Sequence, residues 1–148
     1  MNPQLTCFFI ALLLLLCGGA AAWLLHRREA LARRLAAASV IAAGAFGLVP
    51  AISVLASGES LLYERAASIP ALSFSLMIDP LAAFFLVIIF FISAMTALYG
   101  AGYLRAEGSP AARGRSFFFF NLLVLGMALV AAAANGMLFI IAWEIMSM

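Results

Sequence analysis

The sequence predicts an all-α, polytopic membrane bundle, and three observations carry that prediction. The chain is 68% hydrophobic and only 9% charged, with a mean hydropathy of +1.20, far outside the range of water-soluble domains. Its apolar runs are of the length a helix needs to cross a bilayer core about 30 Å thick, which takes about 20 residues. Its arginines are gathered into two of the connections between those runs. The expectation is one helical domain over residues 1–148, with four full spans at 5–25, 35–56, 79–104 and 117–134, and the start of a fifth at 137–148.

The first run, Leu5 to Leu25, carries no charge. Ala20-Ala21-Ala22 resembles a signal cleavage site, but no Lys or Arg precedes the run and the run is too long for the apolar core of a signal peptide. It is read as a true span. Its two cysteines, Cys7 and Cys17, are ten residues apart on one helix, about 15 Å, too far to bridge each other. They are too few for a metal site, and read as small buried apolar residues.

Residues 26–34 follow, with Arg27, Arg28, Arg33 and Arg34 around Glu29. Such a cluster is either a cytoplasmic anchor under the positive-inside rule or a contact for anionic lipid or a partner. The anchor reading is preferred, and His26 reads as an interfacial residue of the same loop. The second run, 35–56, is rich in Ala and Gly, including Gly44 and Gly47. Small residues let helices approach closely in lipid, so this run should be a packed interior helix, broken or kinked at Pro50.

Residues 57–78 form the longest polar connection, with Glu59, Glu64 and Arg65. Its end places Leu72, Phe74, Leu76 and Ile78 at every second position, the period of a short surface strand. A hairpin with Leu61 to Arg65 is weakly signalled. Asp79-Pro80 then opens the third run as N-cap and first helical residue. Cation binding by Asp79 is the less favoured alternative. Ser93 and Thr96 are the polar side chains at its middle and should hydrogen-bond along their own helix or to a neighbour. Tyr99 and Tyr103 read as an interfacial belt.

The second basic connection, 105–116, holds Arg105, Arg113 and Arg115 against Glu107, and Gly108 and Pro110 should keep it irregular. The fourth run begins with four phenylalanines, Phe117 to Phe120, which suit lipid or core packing. Asn121 stands one turn in, where it can bridge two helices. Asn135-Gly136 marks a tight turn. The fifth run starts at Met137 and carries one carboxylate, Glu144, eight residues beyond Gly136. That is about 12 Å into the bilayer. A charge there costs on the order of 2.5–3.5 kcal/mol on insertion scales. A basic partner, a water-filled cavity or protonation relieves that cost, and desolvation favours the neutral carboxyl, so the group can take up and release a proton.

Charge also sets the orientation. The eight arginines outnumber six acids for a net +2, and all but Arg65 fall in the two connections 26–34 and 105–116. The N-terminus should therefore be outside and both basic connections cytoplasmic, in a multi-pass protein of the cell inner membrane. The fifth run would enter from the outer side. So small a charge excess, confined to two loops, is no nucleic-acid footprint. There is no nucleophile–base pair, no cofactor motif and no metal-ligand cluster. The one chemical asset is Glu144, either a transport group or a buried acid that holds helices together. Every Arg lies in a connection, so a basic partner would come from sequence beyond these residues or from another subunit. The chain stops mid-helix, which reads as the N-terminal part of a longer protein.

The stretch Phe74 to Phe85, with its Asp79-Pro80, leads into a run ending Leu98 to Leu104. Together with Phe139 to Ser147 and its Trp143-Glu144-Ile145-Met146-Ser147, it resembles the antiporter-like, proton-translocating membrane subunits. These are shared by respiratory complex I, Mrp-type sodium/proton antiporters and membrane-bound group 4 hydrogenases. The flavour is nearest the large membrane subunit of formate hydrogenlyase and hydrogenase-4-type complexes. The resemblance implies that Glu144 is a proton-relay residue paired with a lysine on the seventh helix, within about 14 helices, some of them broken. It further implies other membrane subunits and a soluble redox arm as partners, the lipid bilayer as surroundings, and no cofactor in this chain. An Mrp-type antiporter subunit is one alternative. A structural or assembly subunit with no transport of its own is another.

Overall fold

The computed structural model describes residues 2–65, 74–103 and 109–147. Leu72, Arg105, Glu107 and Gly108, to which the sequence reading gave roles, lie outside the described residues, as does the side chain of Tyr103.

Five helices and one hairpin make up the fold among the described residues. They are α1 (Pro3–Leu24), α2 (Glu29–Ser57), β1 (Leu61–Arg65), β2 (Phe74–Ile78), α3 (Pro80–Tyr103), α4 (Pro110–Ala132) and α5 (Gly136–Ser147). Four of the helices, α1 to α4, are long and apolar enough to cross a membrane, and α5 is a shorter apolar helix. The chain is thus a polytopic membrane protein built as a helical bundle.

The helix starts follow from local chemistry. Asn2 caps α1, its Oδ1 accepting from the Gln4 amide at 3.3 Å, with Pro3 at the first helical position. Asp79 caps α3, its Oδ1 accepting from the Ala82 amide at 2.7 Å, so the capping role wins over a cation site. Ser109 does the same for α4, its Oγ accepting from the Ala112 amide at 3.3 Å, with Pro110 following. Two expected connections are therefore shorter than the sequence suggested. The fourth run begins at Pro110 rather than Phe117, because Ser109-Pro110 is a start signal of the same kind as Asp79-Pro80. The second begins at Glu29 rather than Leu35, since Ala, Leu and Arg are good helix formers whatever their polarity. Pro50 does not break α2, which runs through it to Ser57 and stops at Gly58 in the left-handed region (φ 73°).

Packing is set by small residues. α2 lies against α1 and α3 and also touches α4, while α1 packs on α4. Gly47 of α2 meets the ring of Phe90 of α3 so closely that a Cβ would overlap the ring. Phe90 is itself fully buried. The core joins Phe8 and Leu15 of α1, Val40 and Val54 of α2, Leu86 and Phe90 of α3, and Val124 of α4. The outer surface of the bundle is studded with exposed apolar side chains such as Leu13, Ile52, Phe91 and Ile92. That distribution suits lipid as the surroundings. Cys17 belongs to that surface and is exposed rather than buried, whereas Cys7 is half-buried, and both are free thiols.

The weakly signalled hairpin forms. β1 pairs antiparallel with β2, from Leu61 opposite Ile78 to Arg65 opposite Phe74. Leu76 and Ile78 are fully buried, as period-2 alternation predicts, whereas Phe74 at the strand end is exposed. Ser75 departs from the alternation because the α4–α5 connection covers it. The Ala134 amide donates to the Ser75 carbonyl at 3.0 Å, and Leu76 bridges to Ala133.

Candidate functional site

α5 is placed by its cap and by one close crossing. The Asn135 side chain accepts from the Leu138 amide at 2.8 Å and starts the helix directly after the turn. Leu138 and Ala142, four apart, are the buried residues of α5, and they face α4, its chief neighbour. Farther along, Gly126 of α4 lets the backbone of Met146 approach until a Cβ on Gly126 would stand 3.0 Å from it. Gly126 is six residues inside the Ala132 end of α4, about 9 Å along the helix axis. Glu144, half a turn before Met146, therefore stands alongside the span of α4, within the apolar layer that α4 defines.

The side chain of Glu144 lies on the exposed side of α5. Its neighbours on that side are Ile140, Ile141 and Trp143, each about half exposed. The Trp143 ring is propped by Phe139, centroids 5.8 Å apart. Ser147 caps this turn from below, its Oγ donating to the Glu144 backbone carbonyl at 2.9 Å. Among the described residues the Glu144 carboxylate has no ion pair. The ion pair that these residues do contain, Arg113 with Glu29, is at the other end of α4, where both groups meet water. Glu29 is exposed at the start of α2 and is no buried relay.

A second polar group sits inside the bundle. Asn121 is wholly buried halfway along α4, deeper than the one turn expected, because α4 starts earlier. Its Nδ2 donates to the Phe117 carbonyl at 3.0 Å, and its Oδ1 lies 2.9 Å from the Ser39 hydroxyl of α2. Ser39 also reaches its own Ala36 carbonyl at 2.7 Å. Gly18 and Gly19 of α1 make the room, for a Cβ on Gly18 would overlap Ser39 and one on Gly19 would stand 3.1 Å from Asn121. Bridging by Asn121 was legible in the sequence. Ser39 was not, since one serine in an Ala-rich helix carries no signal until its neighbour is known. With every polar atom partnered, the group joins α1, α2 and α4 rather than moving charge.

Among the described residues no three or more His, Cys, Asp or Glu come together as metal ligands. His26 is occupied locally, its Nδ1 2.8 Å from the Trp23 carbonyl.

Residues 67–119 match the family described as NADH-ubiquinone oxidoreductase (complex I), chain 5 N-terminus. The fold is similar to that of a chain in the membrane-bound sulfane sulfur reductase, an archaeal respiratory membrane complex. The likeness has a TM-score of 0.66 and 21% identity, and covers 93% of this chain and 21% of that one. At such identity it is a likeness of fold, and this chain spans about a fifth of its counterpart. No curated relative matches. Within residues 67–119 the chain is thus similar to the N-terminal segment of that complex I subunit, and the likeness over the rest is one of fold.

Proposed function

We propose that the chain supplies the N-terminal helices of a proton-translocating membrane subunit in an oxidoreductase complex of the inner membrane, of the formate hydrogenlyase or hydrogenase-4 type, with Glu144 as the proton carrier. One observation carries this reading: a lone carboxylate on an apolar helix, alongside the span of α4, turned away from the bundle and without a cation among the described residues. An acid placed so is stable in oil as the neutral carboxyl, or as the anion when a cation faces it. Moving a cation toward or away from that face would load and unload the proton. α5 packs on α4 with one side only, so its other side is available to the helix that brings the cation. Electron transfer in a soluble arm of the complex would drive the cycle. The redox centres and substrate belong to other subunits, and translocation belongs to the complete subunit; the matched chain is more than four times as long as this one.

The test is Glu144→Gln in the full-length subunit within its complex, with donor-driven proton uptake measured in membrane vesicles. The neutral isostere should reduce coupled proton movement at least tenfold while leaving complex recovery unchanged. Unimpaired uptake rejects the assignment. Poor recovery of the complex, with normal uptake per assembled complex, would instead make Glu144 a structural acid. Flux that follows a sodium gradient in the absence of an electron donor would mark an antiporter of the Mrp type.

A further inference from the structure

At the arginine-rich end of the bundle, a cleft of about 230 Å³ opens between α2, α3 and α4, lined by Ala36, Ala37, Thr96, Ala97, Gly100 and Phe117. Its lining is almost wholly apolar. One helical turn nearer that end lies a smaller opening that shares Phe117 and is edged by His26, Glu29, Arg33 and Arg113. Their linings follow the same faces of α2 and α4. Arg33 lies three and four residues before Ala36 and Ala37, and Arg113 lies three and four before Ser116 and Phe117, which is the spacing of neighbours on one helix face.

The charges at the opening do not cancel. Glu29 is paired with Arg113. Arg33 is half-buried and makes no hydrogen bond or ion pair within the described residues. Among the described residues that edge the opening, one carboxylate faces two guanidiniums, above an apolar slot. A half-buried arginine at a membrane interface is suited to a phosphate, which its planar fork grips by two hydrogen bonds. The slot below suits hydrocarbon. We propose that this is a binding site for one anionic phospholipid, with its phosphate on Arg33 at the mouth, assisted by Arg113, and one acyl chain in the cleft between α2, α3 and α4. The site is separate from Glu144, and its success or failure leaves the proton-carrier reading where it stands.

The probe is dioleoyl phosphatidylglycerol against dioleoyl phosphatidylcholine, titrated into the full-length protein and counted by native mass spectrometry. One retained phosphatidylglycerol is expected, preferred about fivefold over phosphatidylcholine, as one well-placed arginine at a lipid surface would give. Arg33→Gln should bring that preference close to unity without reducing phosphatidylcholine retention. Gly100→Phe should remove retention of both lipids, since no described atom lies within 4 Å of where its Cβ would stand and the ring can fill the cleft. Thr96→Phe, at an exposed lining position, should do the same if Gly100→Phe does not fold. Arg115→Gln, on the exposed side of α4, should leave the preference intact. Equal retention of the two lipids by the native protein overturns the site. So does an Arg115→Gln effect as large as that of Arg33→Gln, or retention unchanged in a folded cleft-filling variant. Displacement of the lipid by millimolar inorganic phosphate would mean that the mouth binds a free anion instead. A cross-link from Thr96→Cys to another helix of the complex would mean that protein covers the cleft.

Discussion

Asn121 and Glu144 both lie alongside apolar spans, in contrasting environments. Asn121 has no exposed surface, and both of its polar atoms have hydrogen-bond partners. Glu144 has its carboxylate on the outside of a helix, with its bonding capacity unspent among the described residues. A satisfied amide in a packed interior is adhesive, and hydrogen bonds of this kind between membrane helices contribute on average about 0.6 kcal/mol and up to about 1.7. Asn121→Leu should therefore lower the thermal stability of the detergent-solubilised protein by about that amount and leave proton uptake per molecule unchanged. A selective loss of uptake at normal stability would move Asn121 into the transport path. Both residues were legible in the sequence, because an Asn or Glu in an apolar run stands out by type alone. Ser39, Gly18 and Gly19 were not, because their roles arise from which faces of α1, α2 and α4 meet.

At the level of single elements, apolar runs identified the helices but misplaced two starts. Hydropathy reports where a helix enters oil, whereas capping and backbone propensity decide where it begins. α4 keeps Arg113 and Arg115 within its first two turns for that reason, and α2 does likewise with Arg33 and Arg34. The Arg113–Glu29 pair that links these two starts is partly exposed and contributes about 0–1 kcal/mol. α5 depends more on one residue. Its backbone at Met146 rests on Gly126 so closely that an added Cβ would stand 3.0 Å from it, a tight contact. Gly126→Leu should displace α5 and cost about 1–3 kcal/mol of overpacking, read as a lower melting temperature. If Glu144 works from its present depth, proton uptake should fall too, although the acid itself is intact. Normal uptake in a Gly126→Leu protein would show that the position of α5 on α4 is not critical.

On the scale of the molecule, the bundle collects its described arginines other than Arg65 at one end. The α1–α2 connection and the start of α4 meet there, with Gly114 packed directly on His26 and Ala22. The hairpin and the α4–α5 turn occupy the opposite end. By the positive-inside rule the arginine end should face the cytoplasm. Reporter domains inserted within 25–28 should then be active only as cytoplasmic reporters, and those inserted after Glu59 only as periplasmic ones; the reverse pattern would invert the direction assigned to α5. The helix count and the grouping of charge were readable from the sequence because both follow from composition. The helix neighbours were not, since an all-apolar run does not say which of its sides meets protein and which meets lipid.

The main-chain pairing of Ser75 and Leu76 with Ala133 and Ala134 closes the ring formed by the hairpin, α3 and α4. Whatever tilts or lifts the carboxylate-bearing segment must pull on that knot first. A small rigid binder clamped across the two strands would therefore act as a brake on displacement of α5.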